Sequence, residues 1–450
     1  MHSEKKKNRF EIDMCNGSIM NKLISFSIPL MISGILQLAF NAVDIVVVGR
    51  FSGSESLAAV GSTTALINVF TNLFIGISLG ANVLAARFYA AGREKEMSET
   101  VHTAITFAII SGVVMALVGL FFSRGALELM GTPDNVINLS TLYMKIYFLG
   151  MPFFMLYNYG AAILRAVGDT KRPLLFLIVA GVINACLNLL LVIAFHLGVA
   201  GVAIATVTAQ AIVMSIMIVG IVIQKKENVL KGTRLLAKIP WEYLQGICKI
   251  GIPTAIQGMA YCAISMVLTR MISGYGAEAV ATQRVGGQIE SISWNTADGF
   301  AAALNAFIAQ NYGAGKNDRV KKGYKASLWT VGIWGLLISA VFICIPEPIA
   351  RIFFHEPKAI ATSVEYLIII GFSEAFMCVE LTTVGALSGL GRTRLCSIIS
   401  IAFTSARIPL SIILGGIMGL DGIWWAISST SIVKGIIFTC TFLWITRKRR

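Results

Sequence analysis

Charged side chains are scarce in this chain: Asp, Glu, Lys and Arg make up 13% of its 450 residues, against about a quarter in soluble globular domains. That shortage excludes an ordinary water-soluble enzyme or binding domain. Motifs that mark chemistry are missing too. The eight cysteines (Cys15, Cys186, Cys248, Cys262, Cys344, Cys378, Cys396, Cys440) form no CxxC, so neither a zinc site nor a disulfide framework is indicated. His2, His102, His196 and His355 lie far apart, without metal-ligand spacing. No phosphate-binding GxxxxGK[ST] loop occurs, which argues against ATP-driven pumping by this chain alone, although a helper subunit could supply it. The net charge of +14 sits at the chain ends and in alternate loops, with no nucleic-acid module. Nucleic acid is therefore not an expected partner.

Long apolar runs are what the sequence has, and 56% of its residues are hydrophobic. About 20 apolar residues suffice for a helix to cross roughly 30 Å of hydrocarbon. The reading gives an all-α polytopic membrane protein with twelve spans at 22–48, 57–82, 99–122, 136–160, 173–195, 200–223, 243–272, 279–308, 325–345, 361–387, 397–416 and 421–445. The first run is too long for a signal peptide and reads as a retained helix. Lysine and arginine placement sets the direction. With both termini cytoplasmic, the inner segments hold the basic ends and the loops around Arg87, Arg165, Lys225, Lys316 and Arg392, while outer loops hold Arg50, Arg124, Arg351 and Lys358. A multi-pass protein of the plasma (inner) membrane is expected.

The chain also repeats itself. Ser27-Ile-Pro-Leu30 answers Gly251-Ile-Pro-Thr254, and Ala86 to Gly92 answers Ala309 to Gly315. Ala162 to Lys171 answers Gly385 to Arg394, and Gly198 to Gly201 answers Gly419 to Gly422. Six spans per half make the repeats parallel, an arrangement that transporters use. The expected organisation is a tail at 1–21, a six-helix lobe at 22–223, a linker at 224–241, a second lobe at 242–446 and a basic tail at 447–450.

Polar groups inside the bilayer are costly and so mark candidate sites. Gln37, Asn41 and Asp44 share one face of the first span by their spacing of four and three. Asp44 stands out: a buried carboxyl holds a proton or attracts a neutralising cation. The plainer alternative is an aspartate near the outer membrane end, hydrogen-bonded to a neighbouring helix. Asn184, Asn188 and Thr206 add hard oxygen donors suited to a small cation, or else serve as interhelical glue. In the second half Arg284, Glu290, Asp298, Glu374, Glu380, Arg407 and Lys434 lie within or near spans. An unpaired Glu374 or Glu380 facing a cavity would attract cationic substrates.

Together these features resemble the multidrug and toxic compound extrusion (MATE) family over nearly the whole chain. The marks are IPL at 28–30, QLAFNAVDIVVVGRFSG at 37–53, LAAVG at 57–61, LRAVGDTKRP at 164–173, GIPTAIQG at 251–258 and QNYGAG at 310–315. The resemblance implies two six-helix lobes around a central cleft. It implies a secondary antiporter, not an enzyme, that expels amphipathic, often cationic, compounds by alternating access, driven by H+ or Na+. Asp44, Asn184, Asn188 and Thr206 match the family's amino-lobe cation site, although some relatives carry an acid in place of Asn188. The seventh-helix glutamate of other relatives falls on Gln257 or Tyr261, and their tenth-helix aspartate falls near Met377, so no carboxy-lobe ion site is carried over. Gln37, Asn41, Asn68, Asn158, Gln257 and Glu374 are the expected substrate-cavity residues. No cofactor is expected, no metal beyond Na+ at the cation site, and no partner beyond substrate and membrane lipid, with the chain a monomer. The competing reading is a lipid-linked-precursor flippase of the same superfamily, for which Arg284, Arg407 and Lys434 would hold a pyrophosphate.

Overall fold

The computed structural model describes residues 12–223 and 240–447. The linker expected at 224–241 lies outside this range up to residue 239, as do residues 1–11 and 448–450. Among the described residues there is no strand. The first half forms α1 (Ile19–Phe51), α2 (Gly53–Ala90), α3 (Glu94–Leu129), α4 (Asp134–Leu149), α5 (Met151–Ala166), α6 (Lys171–Leu189) and α7 (Gly198–Ile223). The second forms α8 (Trp241–Ser273), α9 (Ala277–Gly313), α10 (Asn317–Cys344), α11 (Pro346–Phe353), α12 (Pro357–Gly389), α13 (Thr393–Ser405), α14 (Arg407–Met418) and α15 (Leu420–Arg447).

Ten stretches of helix are long and apolar enough to cross a membrane, with Lys171–Ala194 and Thr393–Met418 each taken as one, and the pair α4 and α5 makes an eleventh. The eighth expected span, 279–308, falls in α9. That helix has 37 residues, ample for a crossing at 1.5 Å each, but Arg284, Glu290, Asn295 and Asp298 make it too polar to pass the same test. The fourth expected span, 136–160, is bent by 48° between α4 and α5. Pro152, at the second position of α5, has no N–H with which to continue the hydrogen-bond ladder of α4. The eleventh, 397–416, is interrupted after Ser405, where the ring of Pro409 collides with the carbonyl four residues back. The fifth, 173–195, ends in a π-helical turn at Leu190–Ala194. The short helix α11 was not foreseen. Its Pro346 and Pro348 read as loop, yet prolines are well tolerated in a first turn.

The repeat is visible in the turns. Gly53 and Gly276, Gly92 and Gly315, Gly168 and Gly391, and Gly198 and Gly419 all have left-handed φ, between +53° and +104°. A side chain is strained there, which explains why the paired motifs stay recognisable at these points. At Gly168 a Cβ would also lie 2.3 Å from the Ile12 carbonyl oxygen. The next residue, Asp169, is fully buried, accepts the backbone N–H groups of Lys171 and Arg172 at 3.1 Å each, and pairs with the Arg172 side chain. The LRAVGDTKRP motif is thus a turn that caps α6.

The helices gather into two compact units. One comprises Met1–Asp13 with Ile32–Ala255, the other Met14–Met31 with Ile256–Arg450. Each boundary falls inside a helix, two residues beyond Pro29 in α1 and two beyond Pro253 in α8. In the first unit the early half of α8 lies directly on α2: a Cβ on Gly80 would be 2.2 Å from the Ile247 oxygen, and one on Gly76 would be 2.6 Å from the Ala255 Cα. Because the obstacle at Gly80 is backbone, Gly80→Val is expected to cost more than the roughly 1–3 kcal/mol of ordinary overpacking. Fluorescence-detected size-exclusion should show loss of the monodisperse peak, whereas Gly61→Val, with nothing within 4 Å of its added Cβ, should keep it.

In the second unit the early half of α1 packs on α9 and α12 through Ile24 and Met31 beside Ala297, Phe300, Met377 and Cys378. The segment before α1 is held there as well. The Met14 carbonyl accepts Asn311 Nδ2 at 3.0 Å and Arg319 Nε at 3.1 Å, which gives the QNYGAG motif a structural purpose.

Candidate cation site

The site is built in the first unit where α1, α6 and α7 meet. Asn184 and Asn188, one helical turn apart on α6, face the same way. Asn188 is fully buried, and its Nδ2 donates to Asp44 Oδ1 of α1 and to Asn184 Oδ1 at 2.6 Å. Asn184 Nδ2 donates in turn to Thr206 Oγ1 of α7 at 3.3 Å. Thr206 Oγ1 donates a hydrogen bond to the Val202 carbonyl at 3.0 Å. Asp44 itself is half-buried. A carboxylate, two amides and a hydroxyl therefore form one connected set across three helices.

Packing explains how the set is positioned. The Phe40 ring, one turn before Asp44, lies on Gly181, where a Cβ would come within 1.9 Å of it. Only glycine lets α1 approach α6 this closely. Beneath the polar groups Val47, Val48, Val192, Val199 and Val202 form an apolar floor with Tyr143. The π-helical turn begins two residues after Asn188, and the Phe195 N–H reaches the Leu190 carbonyl at 3.2 Å. Such wide turns recur at functional sites.

One polar atom in the set is unsatisfied. Asn188 Oδ1 is buried without a hydrogen-bond partner, an arrangement that costs free energy unless something else completes it. A small cation fits that requirement, because the Asp44 carboxylate and the Asn184, Asn188 and Thr206 oxygens are all hard donors. Among the described residues no three His, Cys, Asp or Glu side chains come together as a metal cluster.

Gln37 and Asn41 are exposed on α1 and Asn68 on α2. Asn158 is half-buried and donates to the Phe154 carbonyl at 2.8 Å, and Gln257 on α8 is half-buried. No hydrogen bond ties these five to Asp44. Glu374 does not line an open surface: it is fully buried, because α12 is packed by α9, α10 and α15, and neither carboxyl oxygen has a hydrogen-bond partner. The aromatic wall was missed from the sequence. Tyr143 and Tyr147 stack at 6.2 Å, with Tyr143 in electrostatic contact with Asp44. Their spacing of four was the available signal.

The second unit holds a separate set of buried charges. Lys434 Nζ pairs with Glu380 Oε1 at 2.8 Å, and Tyr366 Oη donates to Glu290 Oε2 at 3.3 Å. Arg407 donates from Nε to Thr430 Oγ1 at 3.0 Å and from Nη2 to Ser431 Oγ at 2.9 Å. Arg284 and Asp298 are exposed.

Comparison with known proteins agrees with this architecture. The MatE family model matches residues 29–190 and 253–413, two blocks that begin at the paired prolines. The chain is 28% identical over 443 residues to the probable multidrug resistance protein YoeA of Bacillus subtilis, covering 96% of this chain and 95% of that one. It is 27% identical to the probable multidrug resistance protein NorM of Thermotoga maritima, covering 94% and 91%. Its fold is similar to a crystal structure of MATE in complex with MaD3S, with a TM-score of 0.90 over 99% of this chain and 98% of that one at 21% identity.

Proposed function

This chain belongs to the MATE family of transporters, and on that premise we propose that it is a secondary antiporter exporting amphipathic, often cationic, compounds in exchange for H+ or Na+. The observation that carries the reading is the connected set of Asp44, Asn188, Asn184 and Thr206, with the buried Asn188 oxygen unsatisfied. A coupling ion at Asp44 neutralises the one carboxylate in the set. A cationic substrate gains from the same negative charge, so the two ligands oppose each other's binding. Such opposition is reciprocal by linkage, and it is what exchange requires. Alternating access then releases each ligand on its own side. The exposed Gln37 and Asn41, on the same helix as Asp44, supply polar contacts for substrates. The setting is the plasma (inner) membrane, with both termini cytoplasmic by the placement of basic residues.

The test is efflux of a cationic dye from proteoliposomes with a proton gradient and a sodium gradient imposed separately. One gradient should drive export, and the matching ionophore should stop it. Export at full rate with both gradients collapsed would sink the proposal. Asn188→Ala removes the buried Oδ1 oxygen that would complete the shell of a sodium ion. If sodium drives export, we expect the sodium concentration for half-maximal export to rise about tenfold, the effect of about 1.4 kcal/mol, with the maximal rate largely kept.

A further inference from the structure

The internal repeat relates the cation site to a definite place in the second unit. At the spacing that pairs Ala162 with Gly385, Asn184 falls on Arg407 and Asn188 on Ser411. A hydrogen bond to the following helix recurs, although by the pairing of Gly198 with Gly419 Thr206 falls on Ile427, about one helical turn before Thr430. Asn184 of α6 reaches Thr206 of α7, 22 residues on, and Arg407 of α14 reaches Thr430 of α15, 23 residues on. A guanidinium thus stands where the first unit has an amide. It is buried, with 7% of its surface exposed, and a guanidinium brings a positive charge of its own to the site.

The acids are arranged to match. Asp44 lies on α1, but the corresponding part of α8 carries no acid: between Glu242 and Ser273 there is none. The nearby acid comes instead from α9, where Glu290 lies within electrostatic reach of Arg407. The remaining buried base, Lys434, is committed to Glu380 at 2.8 Å.

We propose that Arg407 is a resident cation: its guanidinium permanently fills, in the second unit, the place where the first unit takes up and releases a coupling ion. The protein therefore binds one exchangeable coupling ion, not two. Of two halves built alike, one is a working ion site and the other is locked in its charged form. The proposal rests on the reading of Asp44 given above, and the Asp44→Asn protein tests that reading separately.

The experiment counts cations taken up by the purified full-length protein in detergent, using sodium-22 and, in sodium-free buffer, the difference in protons absorbed on acidification between each variant and wild type. The wild-type protein should bind one exchangeable cation, lost in Asp44→Asn. Arg407→Gln should bind one more than wild type, and the double variant Arg407→Gln/Glu290→Gln should lose that extra cation. Arg407→Lys, which keeps a positive charge, should stay at one, as should Glu374→Gln. A wild-type count of two, with the second lost in Glu374→Gln or Glu290→Gln, would overturn the proposal. So would a monodisperse Arg407→Gln protein whose count is unchanged. If Arg407→Gln does not fold, the wild-type, Glu290→Gln and Glu374→Gln counts still decide.

Discussion

Asp44→Asn is expected to bring gradient-driven export down to the level of protein-free vesicles while leaving the protein folded. The substitution keeps the shape of the side chain and one oxygen, so Phe40 still rests on Gly181 and the apolar floor of Val47, Val48 and Val192 is undisturbed. The amide of Asn188 keeps an acceptor at the position it now uses. What disappears is the charge. Without it neither ligand is drawn to the site, and the opposition between them vanishes. Size-exclusion profile and thermal stability should match the wild type. If export persists at normal rates under the same gradient, the ion is coupled elsewhere.

The largest electrostatic effect on stability is expected at the other buried charge set. Lys434 and Glu380 are both nearly inaccessible, 5% and 7% exposed, and their ion pair joins α15 to α12. Lys434→Met leaves the Glu380 carboxylate buried alone, a defect that costs about 3–5 kcal/mol. A fall in Tm of about 3–5 °C in detergent follows for a chain of this length. Replacing both partners, Lys434→Met with Glu380→Gln, removes the isolated charge and should restore Tm to within about a degree of wild type. Equal destabilisation in single and double variants would show that packing, not charge, holds α12 to α15.

Much of this was legible in the sequence because the membrane imposes strong rules. Apolar length marks helices, and an oxygen donor in an apolar run is conspicuous, so Asp44, Asn184, Asn188 and Thr206 could be singled out before their contact was seen. The repeat was readable because its anchors are left-handed turns, as at Gly168 and Gly391, where few other residues fit. What escaped the reading depends on three-dimensional packing. Pro409 ends α13 by a clash with a carbonyl one turn away, and hydropathy does not register this. Glu374 was expected to face a cavity, but its burial is decided by which neighbours cover α12. Arg407 reads from the sequence as a charge near a span, or as a pyrophosphate holder in a flippase. Its significance needed both the repeat and the bonds to Thr430 and Ser431. Beyond their spacing of four, Tyr143 and Tyr147 carry no polar signal of their own, and their place in the site follows from the packing of α4 in the same cluster as Val47 and Val48.

The most direct measurement is the release of bound coupling ion when substrate is added to the purified protein. Ethidium, a cationic amphipathic dye, should displace one cation per wild-type protein, whether that ion is sodium or a proton, and none from Asp44→Asn. Dye that binds without releasing a cation, or that releases as much from Asp44→Asn as from wild type, would contradict exchange at this carboxylate.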